Sequence, residues 1–124
     1  MHWKFTSDRP VYLQIMDQIR NAVLSGEYAP GVKIPSVREL AAESRVNPNT
    51  MQHALHLLEQ EGVLWVHSTN GRFVTEDSQV LELLRETRIR EIAREYVQKF
   101  AALGLSPTQA AQELLGLERM DEDE

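Results

Sequence analysis

Five polar residues between positions 47 and 53 have the side-chain types that contact bases in protein–DNA complexes. Asn and Gln amides can make two hydrogen bonds with adenine, and a Thr hydroxyl can contact a base or a phosphate. Their spacing predicts that they lie on the first two turns of a helix, whose N-terminus also attracts phosphate. The candidate base-contacting residues are Asn47, Asn49, Thr50, Gln52 and His53.

Four basic residues around this segment could neutralise the phosphate backbone of DNA. Lys33, Arg38 and Arg45 precede the predicted helix, and Arg72 follows it. Taken one at a time, these cations are more simply interpreted as part of a solvated surface. Taken together with the polar residues they favour DNA contact, because the predicted elements place a groove-facing turn where the polar residues lie.

Two short helices separated by a tight turn are predicted to position these side chains. Ser36 and Glu39 form a capping box at the start of a helix over about 36–44. Asn47 caps the next helix, and Pro48 fits its first turn, where a missing N–H costs nothing. This pair of helices predicts a helix-turn-helix.

Two short strands after the helix pair predict a β-hairpin. Residues 63–67 and 72–74 have strand-like sequences, and Asn70-Gly71 between them is a strong hairpin signal. A hairpin in this place is a wing, which reaches a flanking groove or the DNA backbone while the recognition helix lies in the major groove. Asn70 and Gly71 are therefore included among the predicted DNA-binding residues.

After Glu76 the sequence changes to a long helical pattern that runs to Gly104 without an intervening Gly or Pro. A helix of about 25 residues is roughly 37 Å long, more than a small winged domain can cover with its own core. A last helix, which opens at Ser106 with another capping box, can shield only part of its apolar stripe. We therefore expect a second copy of the chain to cover the stripe residues Ile89, Ile92, Tyr96, Val97 and Phe100.

Together these patterns predict a mainly α fold with a small β-hairpin. An apolar stripe between Tyr12 and Val23 predicts one further helix, ahead of the helix pair. The predicted domains are an N-terminal winged helix-turn-helix over 1–76 and a C-terminal two-helix dimerisation arm with an acidic tail over 77–124.

The charge distribution supports this division. The chain carries 13 Lys and Arg against 19 Asp and Glu, a net charge of −6. Residues 1–76 are nearly neutral, with seven basic against eight acidic residues, whereas residues 77–124 have six against eleven. The first part is therefore the one expected to meet an anionic partner such as DNA.

Several other classes of function lack the residues that they need. The chain has no Cys, which excludes disulfides, thiolate zinc sites and Cys nucleophiles. His53 and His56 have no third metal ligand nearby in sequence, and Glu59 and Glu61 are interpreted as solvated helical charge. Without a phosphate loop, a Ser-His-Asp order or a zinc motif, we expect no enzyme activity, cofactor or metal. Without a signal peptide or a membrane span, we expect a cytoplasmic protein and no membrane partner.

A series of short motifs runs through residues 10–74. They are Pro10-Val11-Tyr12, Leu24-Ser25-Gly26, Ile34-Pro35-Ser36, Arg38-Glu39-Leu40-Ala41 and Gly71-Arg72-Phe73-Val74. These motifs resemble the GntR family of bacterial regulators. The Asn47-Pro48-Asn49-Thr50 sequence and the short two-helix C-terminal part are similar to its YtrA-like subfamily. The resemblance implies a homodimeric repressor that binds a palindromic operator, in some cases that of a transporter operon.

The resemblance also assigns roles to single positions. It implies that Arg38 contacts DNA and that Gly71 is the glycine of the wing. Many members have Arg at the positions of Pro48 and Gln52 and Gly at that of Thr69. These differences predict a weaker electrostatic contact with DNA than in those members.

A winged helix that binds another protein, without specific DNA binding, is the alternative interpretation. The net negative charge and the absence of Arg at positions 48 and 52 favour it. The sequence identifies no small-molecule effector, because the short C-terminal part is too small to enclose an obvious ligand pocket.

Overall fold

The computed structural model describes residues 1–122 and confirms the mainly α fold with a small β-hairpin. It divides into two compact units, Met1–Arg85 and Glu86–Glu124. The last two residues of the predicted acidic tail, 123 and 124, lie outside the described residues. The elements are α1 (Val11–Ser25), α2 (Val37–Ser44), α3 (Pro48–Gln60), β1 (Leu64–Val66), β2 (Arg72–Val74), α4 (Ser78–Ala101) and α5 (Pro107–Glu122).

The hydrophobic core of the first unit lies between α1, α2, α3 and the base of the hairpin. The apolar residues of α1 recur every three or four positions, so they form one stripe, which packs mainly against α3. From α4, Leu84 also joins this core. The largest fully buried side chains are Ile15, Ile19, Ile34, Leu40, Met51, Leu55, Leu58, Val63, Leu64 and Val74.

The starts of α2 and α3 are fixed by the predicted capping residues. The Oγ of Ser36 accepts the N–H of Glu39 at 3.1 Å, and the Glu39 carboxylate accepts the N–H of Ser36 at 3.5 Å. At the start of α3, the Oδ1 of Asn47 accepts the N–H of Asn49 at 2.8 Å. Because these bonds satisfy amides at the exposed helix ends, the local sequence determines where both helices begin.

Replacing Ser36 by Ala is expected to lower the free energy of unfolding by about 1 kcal/mol, because the N–H of Glu39 then loses its partner within the chain. Urea unfolding followed by tryptophan fluorescence measures this change. Ser7→Ala, at an exposed position outside the helices, is the control and is expected to leave the midpoint in place. Equal midpoints for Ser36→Ala and the unmodified protein would show that the capping box adds no stability.

The hairpin carries a third extended segment, so the wing is broader than the sequence pattern predicts. Its two strands pair as Leu64 with Val74, Trp65 with Phe73 and Val66 with Arg72. Residues 32–34 add to the outer edge of β2: the N–H of Ile34 donates to the carbonyl of Arg72 at 3.0 Å, and Val74 donates to Val32 at 3.0 Å. This pairing brings Lys33, which precedes α2, beside the wing.

The connection between the strands differs from the predicted tight turn at Asn70-Gly71. Residues 67–71 form the loop, and the Asn70 N–H donates to the His67 carbonyl at 2.9 Å. Ser68 takes a left-handed conformation with φ of 52°, and Gly71 follows the turn with φ of 102°. The turn is therefore centred on Ser68 and Thr69, because the strand pairing already ends at Val66 and Arg72.

The second unit contains the end of α4 and all of α5. Ser106 and Gln109 form the predicted capping box, with N–H to side-chain oxygen distances of 2.8 and 3.2 Å. Within residues 86–122, Ala110 of α5 is almost completely buried. No helix among residues 1–122 is both long enough and apolar enough to cross a membrane.

Candidate nucleic-acid interface

The polar residues of α3 lie on the face of the helix opposite to the core. Asn47, Asn49, Gln52 and His53 are exposed, and Thr50 is half-buried. The opposite face of the helix is completely buried, because its apolar residues recur at helical spacing. The capping bond of Asn47 uses only Oδ1, so its Nδ2 group remains as the donor that can face DNA. The structure therefore presents all five candidate base-contacting residues along one helix.

His53 has a ring contact that the sequence did not predict. Its ring lies 4.8 Å from the Tyr12 ring, measured between centroids, at a tilt of 55°. Tyr12 is in the first turn of α1, so this contact joins α1 to the exposed face of α3. The only sequence signal was that Tyr12 belongs to the apolar stripe of α1. Tyr12 is thus a supporting residue of the candidate interface.

A basic groove lies between the start of α2 and the tip of the wing. It has a volume of about 380 Å³. Five predicted DNA-binding residues from two separate segments of the sequence, 33–38 and 69–72, line it, so the fold brings them together as one surface. These residues are Lys33, Arg38, Asn70, Gly71 and Arg72.

Lys33 crosses the wing directly over Gly71. A Cβ atom at position 71 would lie 2.8 Å from Cε of Lys33, closer than two carbon atoms can pack. The φ angle of 102° at Gly71 is also one that residues with a side chain rarely adopt. Gly71 therefore allows both the path of the wing backbone and the position of the Lys33 ammonium group at the wing.

Arg72 forms an ion pair with a residue of α3. Its Nε donates to the Oε1 of Glu59, and the two side chains are only 17% and 21% exposed. The ring of His56 lies next to the same carboxylate, with 3.8 Å between Nδ1 and Oε2. The interpretation of Glu59 as solvated helical charge was wrong, because β2 brings Arg72 to it from 13 residues away in the sequence.

Some of the remaining cations of the first unit form ion pairs, and others do not. Arg20 pairs with Asp17 and with Glu61, so Glu61 too has an ion-pair partner, and Arg9 pairs with Asp17. Three cations on or next to the helix-turn-helix form no ion pair with any of residues 1–122. These side chains are Lys33, Arg38 and Arg45, and all three residues are exposed.

Arg45 occupies the turn between α2 and α3. It has a left-handed backbone conformation, with φ of 60°, and its N–H donates to the Ala41 carbonyl. This conformation ends α2 and allows α3 to begin two residues later at its cap, Asn47. The side chain of Arg45 therefore begins two residues before Asn47, the cap of α3.

The predicted dimerisation stripe lies in the second unit, on α4. Ile89 is 54%, Ile92 39% and Tyr96 48% exposed. With Val97 they line an apolar groove of about 370 Å³ whose other wall is formed by Pro107 and later residues of α5. Phe100, the last predicted stripe residue, is half-buried and lies outside this lining.

Metal ligands are not clustered in the part of the chain that the structure describes. Over residues 1–122, no three His, Asp or Glu side chains lie close enough together to hold a metal ion. His53 and His56 instead contact Tyr12 and the Glu59 carboxylate respectively. The two His side chains of α3 therefore make contacts within the first unit.

Comparison with known proteins identifies relatives that are similar to this chain in sequence and in fold. The sequence model for "Bacterial regulatory proteins, gntR family" matches residues 11–74, which is half of the chain. The HTH-type transcriptional repressor YtrA of Bacillus subtilis (strain 168) is 40% identical over 72 residues. This match covers 58% of the present chain and 55% of the relative.

Two solved structures extend the comparison. A GntR family transcriptional regulator from Listeria monocytogenes has a TM-score of 0.77 at 28% identity, over 94% of this chain and 98% of that one. AraR(DBD), in complex with operator ORE1, has a TM-score of 0.53 at 27% identity, over 60% of this chain and 94% of that one. The chain therefore belongs to the gntR family of bacterial regulatory proteins, whose members are DNA-binding transcriptional regulators and not enzymes.

Proposed function

We propose that the protein is a homodimeric repressor that binds a palindromic operator with its two winged units. The observation that carries this proposal is that one unit presents both the exposed polar face of α3 and the basic groove between α2 and the wing. A recognition helix fits the major groove with its N-terminal residues at the base edges, and a wing reaches the flanking backbone. The exposed polar residues on the first two turns of α3 support this docking geometry.

Each group of residues has a distinct role in this complex. Asn49 and Gln52 read base edges through their amides, and Thr50 contacts a base or a phosphate. Arg38 reaches the DNA from α2, and Lys33 contacts phosphate at the wing. AraR(DBD), a structural neighbour, is itself in complex with operator DNA, which supports this arrangement.

The apolar groove of the second unit supports the homodimer. Its stripe on α4 combines large, exposed apolar side chains, and a two-fold partner would cover them with the same stripe. Two winged units held together in this way bind two half-sites as one event. Occupancy of a promoter by the dimer would exclude RNA polymerase, in agreement with the repressor activity named for the relative YtrA.

A mobility shift tests the proposal against the protein-binding alternative. The probe is the intergenic duplex upstream of the protein's own gene, at physiological salt and with unrelated DNA as competitor. We expect a retarded complex that survives an excess of competitor. No complex, or one that unrelated DNA displaces equally well, would support a winged helix that binds protein.

The dependence of operator affinity on salt is expected to be shallow for a dimeric repressor. At the candidate interface, each chain offers three cations that form no ion pair with residues 1–122, namely Lys33, Arg38 and Arg45. Six phosphate contacts in a dimer would give a slope of about −5 for log K against log salt. Fluorescence anisotropy titrations from low to moderate salt measure this slope. A slope near −10, as strongly basic repressors give, would show that more cations reach the DNA.

A further inference from the structure

We infer that Arg72 and Glu59 form a clamp that holds the wing at a fixed angle to the recognition helix, and that both are positioning residues for operator binding. The inference deepens the proposed function and rests on it. It differs from the sequence-based expectation for Arg72, which assigned this cation to a DNA phosphate. The structure places its guanidinium on a carboxylate of α3 instead.

The strand register explains why Arg72 points to α3. Residues directly opposite in an antiparallel pair share one face of the sheet. Leu64 and Val74 form one such pair and are buried in the core of the first unit. Two residues further along, Val66 and Arg72 form the next pair on the same face. Arg72 therefore lies on the core-facing side of the wing, in the first pair on that side beyond the last pair that is buried in the core.

Beyond that point, apolar packing no longer holds the wing. Val66 is 50% exposed, and the loop residues 67–70 are all exposed. The outer part of the wing is thus attached to α3 through the ion pair and to residues 32–34 through backbone hydrogen bonds, whereas its base is attached by buried side chains. Both partners are mostly shielded from water. Dissolved salt therefore screens this ion pair less than it would screen an exposed one.

The clamp connects the two elements that must meet the duplex together. Glu59 is on α3, the helix that presents Asn49 and Gln52 to the major groove in the proposed complex. A wing with a free tip would have to be ordered when DNA binds, and this loss of freedom reduces affinity. A wing already held at the right angle binds without that cost.

Charge alone predicts the opposite effect from the clamp. Glu59 is an anion close to the proposed DNA surface, so removing its charge would reduce repulsion and release Arg72 for a phosphate. If the clamp is correct, the same change weakens binding, because the wing loses its attachment. The sign of the change in affinity therefore separates the two interpretations.

The test compares Glu59→Gln with Glu61→Gln in the full chain. The control makes the same charge change near the same end of α3, but it breaks the ion pair with Arg20 of α1, which includes no residue of the wing. The probe is the duplex upstream of the protein's own gene, and the readout is anisotropy. We expect roughly tenfold weaker binding for Glu59→Gln and a change of about twofold or less for Glu61→Gln. Equal or tighter binding by Glu59→Gln, or an equal loss in both variants, overturns the clamp.

Arg72→Gln gives a second test, because a phosphate contact by Arg72 would change the dependence of binding on salt. Under the clamp, it weakens binding as much as Glu59→Gln does, the double variant is no weaker than either single one, and the salt slope stays unchanged. A phosphate contact by Arg72 would instead reduce the slope by about 1.8 for the dimer. A reduced slope, or additive losses in the double variant, contradicts the positioning role.

Amide hydrogen exchange without DNA tests the clamp independently of the proposed function. The N–H groups of His67 and Asn70 form the hydrogen bonds that close the wing tip. We expect both to exchange roughly tenfold faster in Glu59→Gln and at the original rate in Glu61→Gln. Unchanged exchange in Glu59→Gln overturns the clamp. Faster exchange in a protein that binds no DNA would leave the clamp in place and reject the proposed function alone.

Discussion

Replacing both Ile92 and Tyr96 by Asp is expected to produce a monomer. Its affinity for a palindromic duplex should be lower by roughly a hundredfold or more. Both side chains line the apolar groove and are 39% and 48% exposed in the single chain. Fully burying a large apolar side chain contributes about 1.5–3 kcal/mol, so covering the part of each that is still exposed contributes a fraction of that, and a carboxylate there would have to lose its water. With the dimer lost, each winged unit binds its half-site alone.

Sedimentation equilibrium and anisotropy on the same samples measure assembly and affinity together. The matched control is Leu83→Asp with Leu103→Asp, which adds the same charge at leucines that are 65% and 77% exposed and do not line the groove. It is expected to remain a dimer. An unmodified protein that is monomeric at micromolar concentration, or an Asp variant that binds the palindrome as tightly, would contradict the proposed role of the arm.

A shortened chain offers a second route to the same monomer. Truncation after Arg85 is expected to retain a folded winged unit, because the first compact unit ends at that residue. Truncation after Glu76, the predicted domain boundary, would also remove Leu81 and Leu84, which pack against the core. The shorter chain should therefore be less stable, and only the longer one separates folding from dimerisation.

Replacing Arg38 by Ala is expected to cost about 1–3 kcal/mol of specific binding at each half-site. Arg38 is exposed, lines the basic groove and forms no ion pair with residues 1–122. The inner side of α2 is formed by Leu40 and Ala41, which are buried, so removal of Arg38 leaves the core intact. The loss should appear as lower affinity and weaker discrimination against unrelated DNA.

Anisotropy titrations with operator and scrambled duplexes measure both effects. Arg119→Ala removes the same charge from the second unit and is expected to bind like the unmodified protein. A thermal melt of each variant separates a binding defect from a folding defect. Unchanged operator affinity in Arg38→Ala, together with an unchanged melting transition, would exclude Arg38 from the interface.

Local sequence signals were sufficient to predict the helix-turn-helix. The capping box of Ser36 and Glu39 and the Asn47-Pro48 start depend on residues within three positions of each other. Such signals operate through the nearest backbone amides, so they keep their meaning whatever the rest of the fold does. The polar face of α3 followed from the same helical spacing.

The contacts between distant segments could not be predicted in this way. Glu59 and Arg72 are 13 residues apart, and the strand register alone brings them together. The contact of Tyr12 with His53 and the addition of residues 32–34 to the wing likewise depend on how the elements pack. The sequence pattern identified the residues concerned but not their partners.

The stripe of the C-terminal arm shows the same limit. Helical spacing predicted that Ile89, Ile92, Tyr96 and Val97 share one face of α4, and the structure places them in one groove. Residues of α5 form the second wall of this groove, and Phe100 lies outside the lining. How α5 returns past α4 depends on the loop geometry around Gly104. Spacing along one helix contains no information about that return.

The central claim is that two chains bind one palindromic site through their winged units. Sedimentation velocity of the full-length protein with a labelled palindromic duplex, taken from the region upstream of its own gene, tests it most directly. We predict two chains per duplex and an affinity at least roughly 10³-fold higher than for a scrambled duplex of the same composition. One chain per duplex, or equal affinity for the scrambled sequence, would contradict it.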